Sequence, residues 1–177
     1  MNVRLAEMKD VNVIAEVHVQ SWKTTYKGIV SDSYLSSLRV EDRKEMWNRV
    51  LSTKNHPTVV IVIEEDGEVF GFAAVGKEGT GKFAGIDGEL YAIYLFETHQ
   101  RKGGGKQLVA KAARVLKKQG YQSMLVWVLE DNPYKRFYHE VLQGVYLESE
   151  NIEIAGEEFQ ESAYAWCNLG QLISNCK

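Results

Sequence analysis

One stretch constrains the fold more than any other. Between Leu90 and Lys118 an apolar run, Leu90 to Phe96, passes through a turn holding three consecutive glycines, Gly103 to Gly105, and straight into an amphipathic helix. The helix reads from Gly104 to Gln119. Leu108, Val109, Ala112, Ala113 and Leu116 form its apolar stripe, lysines cover the other side, and Gly120 is placed to stop it. A buried strand that feeds an amphipathic helix has to lay that helix back on a sheet, which excludes all-α and all-β architectures. The apolar run is far shorter than the ~20 residues a membrane span needs.

The elements on either side fill out the order. Val3 to Ala6 reads as a short strand, and Asp10 opens a helix whose apolar positions include Val11, Ile14, Ala15 and Trp22. Helical stretches follow from Ser31-Asp32 and over Glu41 to Leu51, and His56-Pro57 ends this helical third. The period then changes. Val59 to Ile63 is a continuous β-branched run, Glu65-Asp66-Gly67-Glu68 reads as a hairpin turn, Val69 to Val75 returns as a strand, and a glycine-rich connection, Gly76 to Gly85, leads to a strand over Ile86 to Phe96. After the basic helix, Met124 to Leu129 reads as a buried strand and Asn132-Pro133 as a helix start, with Phe137, Tyr138, Val141 and Leu142 on its inner face. Val145 to Ile154 and Phe159 to Leu169 are the last two strands. The order β-α-α-α-β-β-β-α-β-α-β-β predicts an α+β (mixed α/β) fold in one domain, residues 1–177, and not a doubly wound parallel sheet.

Composition narrows the class. With 45% hydrophobic and 25% charged residues, the chain sits near the globular average, which excludes disordered and collagen-like classes. No signal-peptide core interrupts the charged first twenty residues, and the expectation is a soluble, cytoplasmic protein without membrane association. Cys167 and Cys176 form no C-x-x-C, and His18, His56, His99 and His139 are scattered, so no metal site is expected. Seven cations and no acids lie between Arg101 and Lys118; removing them from the net charge of −3 leaves −10 on the remainder. A cationic island on an acidic protein points to an anionic ligand at that place.

The glycine turn says which kind of anion. Glycines let a backbone approach a ligand closely, the first turn of a helix leaves N–H groups unpaired, and Arg101, Lys102 and Lys106 add full charges, together a cradle for a pyrophosphate. Two common phosphate loops do not fit. Gly76 to Lys82 has Walker-A glycines and lysine, but Phe83 stands where the Mg²⁺-binding hydroxyl belongs. A dinucleotide fingerprint starting at Gly103 would need glycine where Leu108 stands.

The pattern Gln100-x-x-Gly103-x-Gly105, after a strand and opening a helix, resembles the [RQ]-x-x-G-x-[GA] signature of the GNAT superfamily of acetyl-CoA-dependent N-acetyltransferases. The resemblance extends to the strand Glu89 to Leu95, to Asn132 with Phe137-Tyr138 downstream, and to the element order over nearly the whole chain. Asn132 to Tyr138 spans six residues where seven is more usual, and the step from Tyr138 to Gly144 is slightly stretched. The resemblance implies a mostly antiparallel sheet of six to seven strands, flanked by helices, with the fourth and fifth strands splayed. It implies that the pantetheine arm of acetyl-CoA lies in that gap against the backbone of Ile93, Tyr94 and Leu95, with the pyrophosphate on Gln100, Arg101, Lys102, Gly103, Gly104, Gly105 and Lys106, and with Asn132 nearby. Splayed strands leave backbone groups unpaired, and an amide-bearing ligand supplies partners.

Acetyl transfer to an amine requires a deprotonated amine, a stabilised oxyanion and a proton for the leaving thiolate. Glu89 is the candidate base, directly or through water, and Tyr138 the candidate acid. Trp22, Tyr26 and Tyr34 are the aromatic candidates for an acceptor wall, and the glutamates of the final hairpin, Glu148 to Glu161, form an acidic rim suited to a polyamine or a lysine-rich peptide. Small amines, amino-acid-like compounds, aminoglycosides and protein N-termini all remain open as acceptors. Two other classes stay in view: a CoA-binding regulatory module without transferase activity, and a nucleic-acid binder using residues 101–118, which the absence of interleaved aromatics disfavours. Exposed strand edges in the C-terminal hairpin leave room for a homodimer.

Overall fold

The apolar runs after Pro57 become the centre of a single sheet, seen in a computed structural model that describes residues 1–177. The strands are β1 (Asn2–Leu5), β2 (Val59–Glu65), β3 (Glu68–Lys77), β4 (Gly88–Leu95), β5 (Met124–Leu129), β6 (Val145–Ile154) and β7 (Glu157–Trp166). The helices are α1 (Val11–Thr25), α2 (Asp32–Ser37), α3 (Val40–Ser52), α4 (Gly104–Lys118) and α5 (Leu169–Asn175). The seven strands lie in the order β1-β2-β3-β4-β5-β7-β6, antiparallel except for β4 beside β5. The fold is α+β.

Alternation explains why β2 and β3 carry such unbroken apolar runs. Val60, Val62, Phe72 and Ala74 pack against Ile14, Ala15 and Val17 of α1 and Trp47 of α3. Ile61, Ile63, Ala73 and Val75 face the opposite way, onto Leu108, Val109, Ala112 and Leu116 of α4. Both faces are covered, so neither set of positions can be polar. No helix is long and apolar enough to cross a membrane.

Two elements depart from expectation. The last strand ends at Trp166 rather than Leu169, and α5 follows. Asn168 caps it by accepting from the Gln171 N–H at 3.1 Å, and Leu169 and Leu172 are buried in the α4-side core. The segment after Asn132-Pro133 is not a regular α-helix. Asn132 Oδ1 accepts from the Tyr134 N–H at 2.8 Å, as a capping side chain does, but Phe137–Val141 winds as a π-helical turn in which the Leu142 N–H bonds the Phe137 carbonyl. The extra residue per turn fits the stretched spacing between Tyr138 and Gly144. The Gly144 N–H donates to the Tyr138 carbonyl at 2.8 Å and Trp166 Nε1 to the Leu142 carbonyl at 2.7 Å, so the turn is fastened at its far end.

Candidate active site

The site begins where β4 and β5 part. The two strands pair only at Gly88 with Met124 and Glu89 with Leu125. Asp87 clamps this closed end: its carboxylate accepts from the N–H groups of Gln122 and Ser123 and from Ser123 Oγ at 2.7 Å. Burial alone would raise the Asp87 pKa, but these bonds outweigh it and hold it below the usual carboxylate value. Just beyond Glu89, β4 carries a bulge. Ala74 of β3 pairs with Ala92 and Val75 with Leu90, so Tyr91 is the extra residue. A bulge bends its strand and increases its twist, and this one turns β4 away from β5.

Beyond the bulge the backbone of β4 has a free edge. The Phe96 N–H donates to the Phe70 carbonyl, which by alternation aims the polar groups of Tyr94 at β3 and those of Ile93 and Leu95 into the gap. The Leu95 carbonyl is already held, accepting from Gln100 Nε2 at 3.1 Å and from the buried Ser21 Oγ at 3.2 Å. The gap opens into a cavity of about 610 Å³ whose walls include β4 from Leu90, β5 over Val126 to Val128, and the 132–141 segment.

The glycine turn closes the cavity's far end. Gly103 precedes α4 at φ +86°, a left-handed conformation that strains any residue with a Cβ, and it offers no side chain to cap the helix. The first N–H groups of α4 are therefore free of capping side chains and carry the positive end of the helix dipole. Gln100, Arg101, Gly103, Gly105 and Lys106 line the cavity; Lys102 does not, and Gly104 is buried beneath Leu95. Lys106 Nζ also donates to the Lys177 carbonyl at 3.3 Å.

The titratable candidates sit at different depths. Glu89 lies at the closed end, outside the cavity lining, with Oε2 accepting from the Gly79 N–H at 3.4 Å. Burial raises its pKa, with nearby Glu78 adding to the rise and the Gly79 bond opposing it. Tyr138 lines the cavity and is 8% exposed. No protein group bonds its hydroxyl, yet no buried side-chain polar atom in the chain lacks a partner, so its Oη opens onto the cavity. Burial, and secondarily Tyr94, push its pKa above the ordinary phenol value.

The chain matches the model of the acetyltransferase (GNAT) family over residues 20–144. It belongs to that family. An uncharacterized N-acetyltransferase of Bacillus subtilis, YuaI, is 40% identical over 172 residues, covering 97% of this chain and 96% of its own. The spermidine N(1)-acetyltransferase of Thermoplasma acidophilum is 27% identical over 135 residues, 75% of this chain and 80% of its own. Among solved structures, the PaiA N-acetyltransferase of Thermoplasma acidophilum in complex with coenzyme A superposes with a TM-score of 0.68 at 25% identity, covering 92% of this chain and 98% of that one.

In this GNAT protein the expected aromatic wall is only partly assembled. Tyr26 reaches the cavity, with its Oη accepting from Asn132 Nδ2 at 3.3 Å. Trp22 and Tyr34 stand behind it, with ring centroids 4.7 Å from Trp22 to Tyr26 and 6.2 Å from Trp22 to Tyr34. The acidic rim holds a cation of its own: Lys82 pairs with Glu150 and Glu148 and lies 5.6 Å from the Trp127 ring centre. Burial first, then Glu150 and Glu89, raise the Glu161 pKa in the same neighbourhood. No group of three or more His, Cys, Asp or Glu is placed to hold a metal.

Sequence reasoning missed Ser21 and Trp127 and assigned Tyr94 only through its backbone. Its side chain has a partner of its own: Tyr94 lines the cavity, and its Oη accepts from Trp22 Nε1 at 3.0 Å. Alternation along β4 was the available signal for Tyr94, because it shares a face with Ala92 toward α1. Nothing local marks Ser21.

Proposed function

We propose that this protein transfers the acetyl group of acetyl-CoA to the primary amine of a small acceptor, a polyamine or an amino-acid-like compound, or of a peptide, by direct attack with both substrates bound. The observation that carries the reading is the two-residue pairing of β4 and β5, which leaves the Ile93 and Leu95 N–H groups facing a cavity that ends on an uncapped helix N-terminus. A pantetheine arm has amides to match such an edge, and a pyrophosphate suits the donors and cations from Gln100 to Lys106. Because the Leu95 carbonyl is held by Gln100 and Ser21, the edge offers the arm more donors than acceptors at that point.

Holding amine and thioester together supplies much of the acceleration in a ternary complex, worth several kcal/mol. Glu89 takes the proton from the incoming ammonium through water, since the cavity lining begins one residue beyond it. Its raised pKa makes it a better base than an exposed glutamate. Tyr138 faces the cavity with a free hydroxyl suited to protonate the leaving thiolate. A polyamine heads the acceptor classes for two reasons: the acidic hairpin around Glu148, Glu150 and Glu161, and the spermidine acetyltransferase among the relatives. The same reading keeps the protein in the cytoplasm.

A thiol-release assay with acetyl-CoA against polyamines, amino acids, other small amines and peptides, with mass spectrometry of the products, tests this. Acetylated amine and stoichiometric thiol are expected with at least one class. Tight CoA binding without amine-dependent thiol release from any of them would leave a CoA-binding module instead.

A further inference from the structure

The gap between β4 and β5 is a place where the two faces of the sheet communicate, and two phenols line it from opposite faces. Tyr138 packs in the core on the α4 face. Tyr94 packs in the core on the α1 face, stacked on His18 with ring centroids 5.2 Å apart and planes 20° from parallel. Both line the same cavity.

The orientation of the Tyr94 hydroxyl is set from behind. Trp22 Nε1 has no acceptor capacity, so it donates to Tyr94 Oη, and Tyr26, itself receiving from Asn132, faces the same oxygen. The Tyr26 oxygen is occupied by Asn132 and its hydrogen turns toward Tyr94, so a Tyr94 oxygen that accepts from Trp22 and Tyr26 has its own one hydrogen left to donate elsewhere. Tyr94 lines the cavity, and none of its hydrogen bonds in the structure uses that hydrogen. Burial keeps the phenol protonated, so it stays a donor.

Resting on the acetyltransferase reading, we propose that the Tyr94 hydroxyl is a second hydrogen-bond donor to the departing sulfur, held in place by Trp22. The chemistry asks for one. When the amine nitrogen bonds the acetyl carbon and the C–S bond breaks, the electron pair goes to sulfur. A thiol loses its proton near pH ~8.5 and a phenol near ~10, so a buried phenol gives up its proton to that thiolate uphill. Tyr94 donates a hydrogen bond without losing its proton and spreads the charge on sulfur. Tyr138 then supplies the proton that makes the free thiol and recovers one from solvent, while the proton lost by the amine leaves by way of Glu89. Tyr94 is thus a catalytic residue and Trp22 a positioning residue.

The test compares calorimetric affinities for CoA and for desulfo-CoA, which lacks only the sulfur, between pH 7 and 9.5. In the wild type a site that favours thiolate binds CoA increasingly better than desulfo-CoA as pH rises. Tyr94→Phe should cut that preference by about tenfold, the scale of one charge-assisted bond, with desulfo-CoA affinity within about twofold of wild type. Trp22→Phe, which leaves the hydroxyl free to turn, should cut it by a smaller factor and covers the case in which Tyr94→Phe folds poorly. An unchanged preference in both variants, or equal losses for CoA and desulfo-CoA, overturns the assignment. If the wild type binds neither ligand, the acetyltransferase reading falls as well, which separates that failure from this one.

Discussion

Tyr138 and Glu89 divide the proton work, and their surroundings make the division measurable. Removing the Tyr138 hydroxyl leaves the ring that fills the core, so Tyr138→Phe should lower kcat by roughly 10²-fold, the usual scale of general-acid loss, with CoA affinity little changed. Steady-state kinetics beside calorimetry checks this. A base must be deprotonated to act, and burial raises the Glu89 pKa. The acidic limb of kcat/KM should therefore lie above the usual carboxylate range, and Glu89→Gln should lower kcat/KM and abolish that limb. Gly104 is also a packing site: a Cβ there would meet Leu95 Cδ2 at 2.8 Å. Gly104→Ala should cost about 1–3 kcal/mol of stability through overpacking, read as a drop in Tm, and should push Leu95 toward the gap and weaken CoA binding.

At the scale of elements, α1 is tied to the sheet by a histidine that does not titrate in the usual range. His18 Nδ1 accepts from Trp47 Nε1 at 3.2 Å, and burial, with a smaller effect from Arg43, lowers its pKa to about 3. The unfolded chain protonates this residue near pH ~6.5 and the native chain does not, so stability is complete above that value and falls as pH drops from there toward 3. The carboxylates of Asp10 and Asp87, whose pKa values are lowered, begin to lose their contribution only as pH falls through the usual aspartate range, so the upper part of the histidine window lies clear of theirs. Melting temperatures between pH 7 and 4.5 should decline in the wild type, and His18→Gln, which keeps an acceptor for Trp47, should flatten that decline. An unaltered slope would remove His18 as its source.

The same scale shows what the amino-acid pattern carries. α4 was legible because its stripe, its glycine turn and its lysines agree. The π-helical turn at Phe137 was not, since a π turn and an α turn use the same residue types and differ by where a neighbouring strand lets the chain re-enter. α5 was hidden because Leu169 and Leu172 also continue the apolar character of β7, and only the Asn168 cap separates the two. The role of the Tyr94 side chain depends on Trp22, 72 positions away, and no local pattern encodes that bond.

For the whole molecule, the central claim is mechanical. Asp87 zips one end of β4 to β5, the bulge at Tyr91 parts them, Ser21 and Gln100 hold the Leu95 carbonyl, and the uncapped start of α4 waits at the far end. α1 reaches the gap through Ser21, Trp22 and Tyr26, so the helices that wall the acceptor side and the strands that take the cofactor are one connected frame. Residue-resolved amide exchange by NMR, with and without CoA, addresses this frame directly. Without CoA the Ile93 and Leu95 amides should exchange much faster than those of Ala92 and Tyr94, which face β3, and CoA should slow both at least tenfold. Ile93 and Leu95 amides already as protected as their neighbours without ligand, or unchanged by saturating CoA, would contradict it.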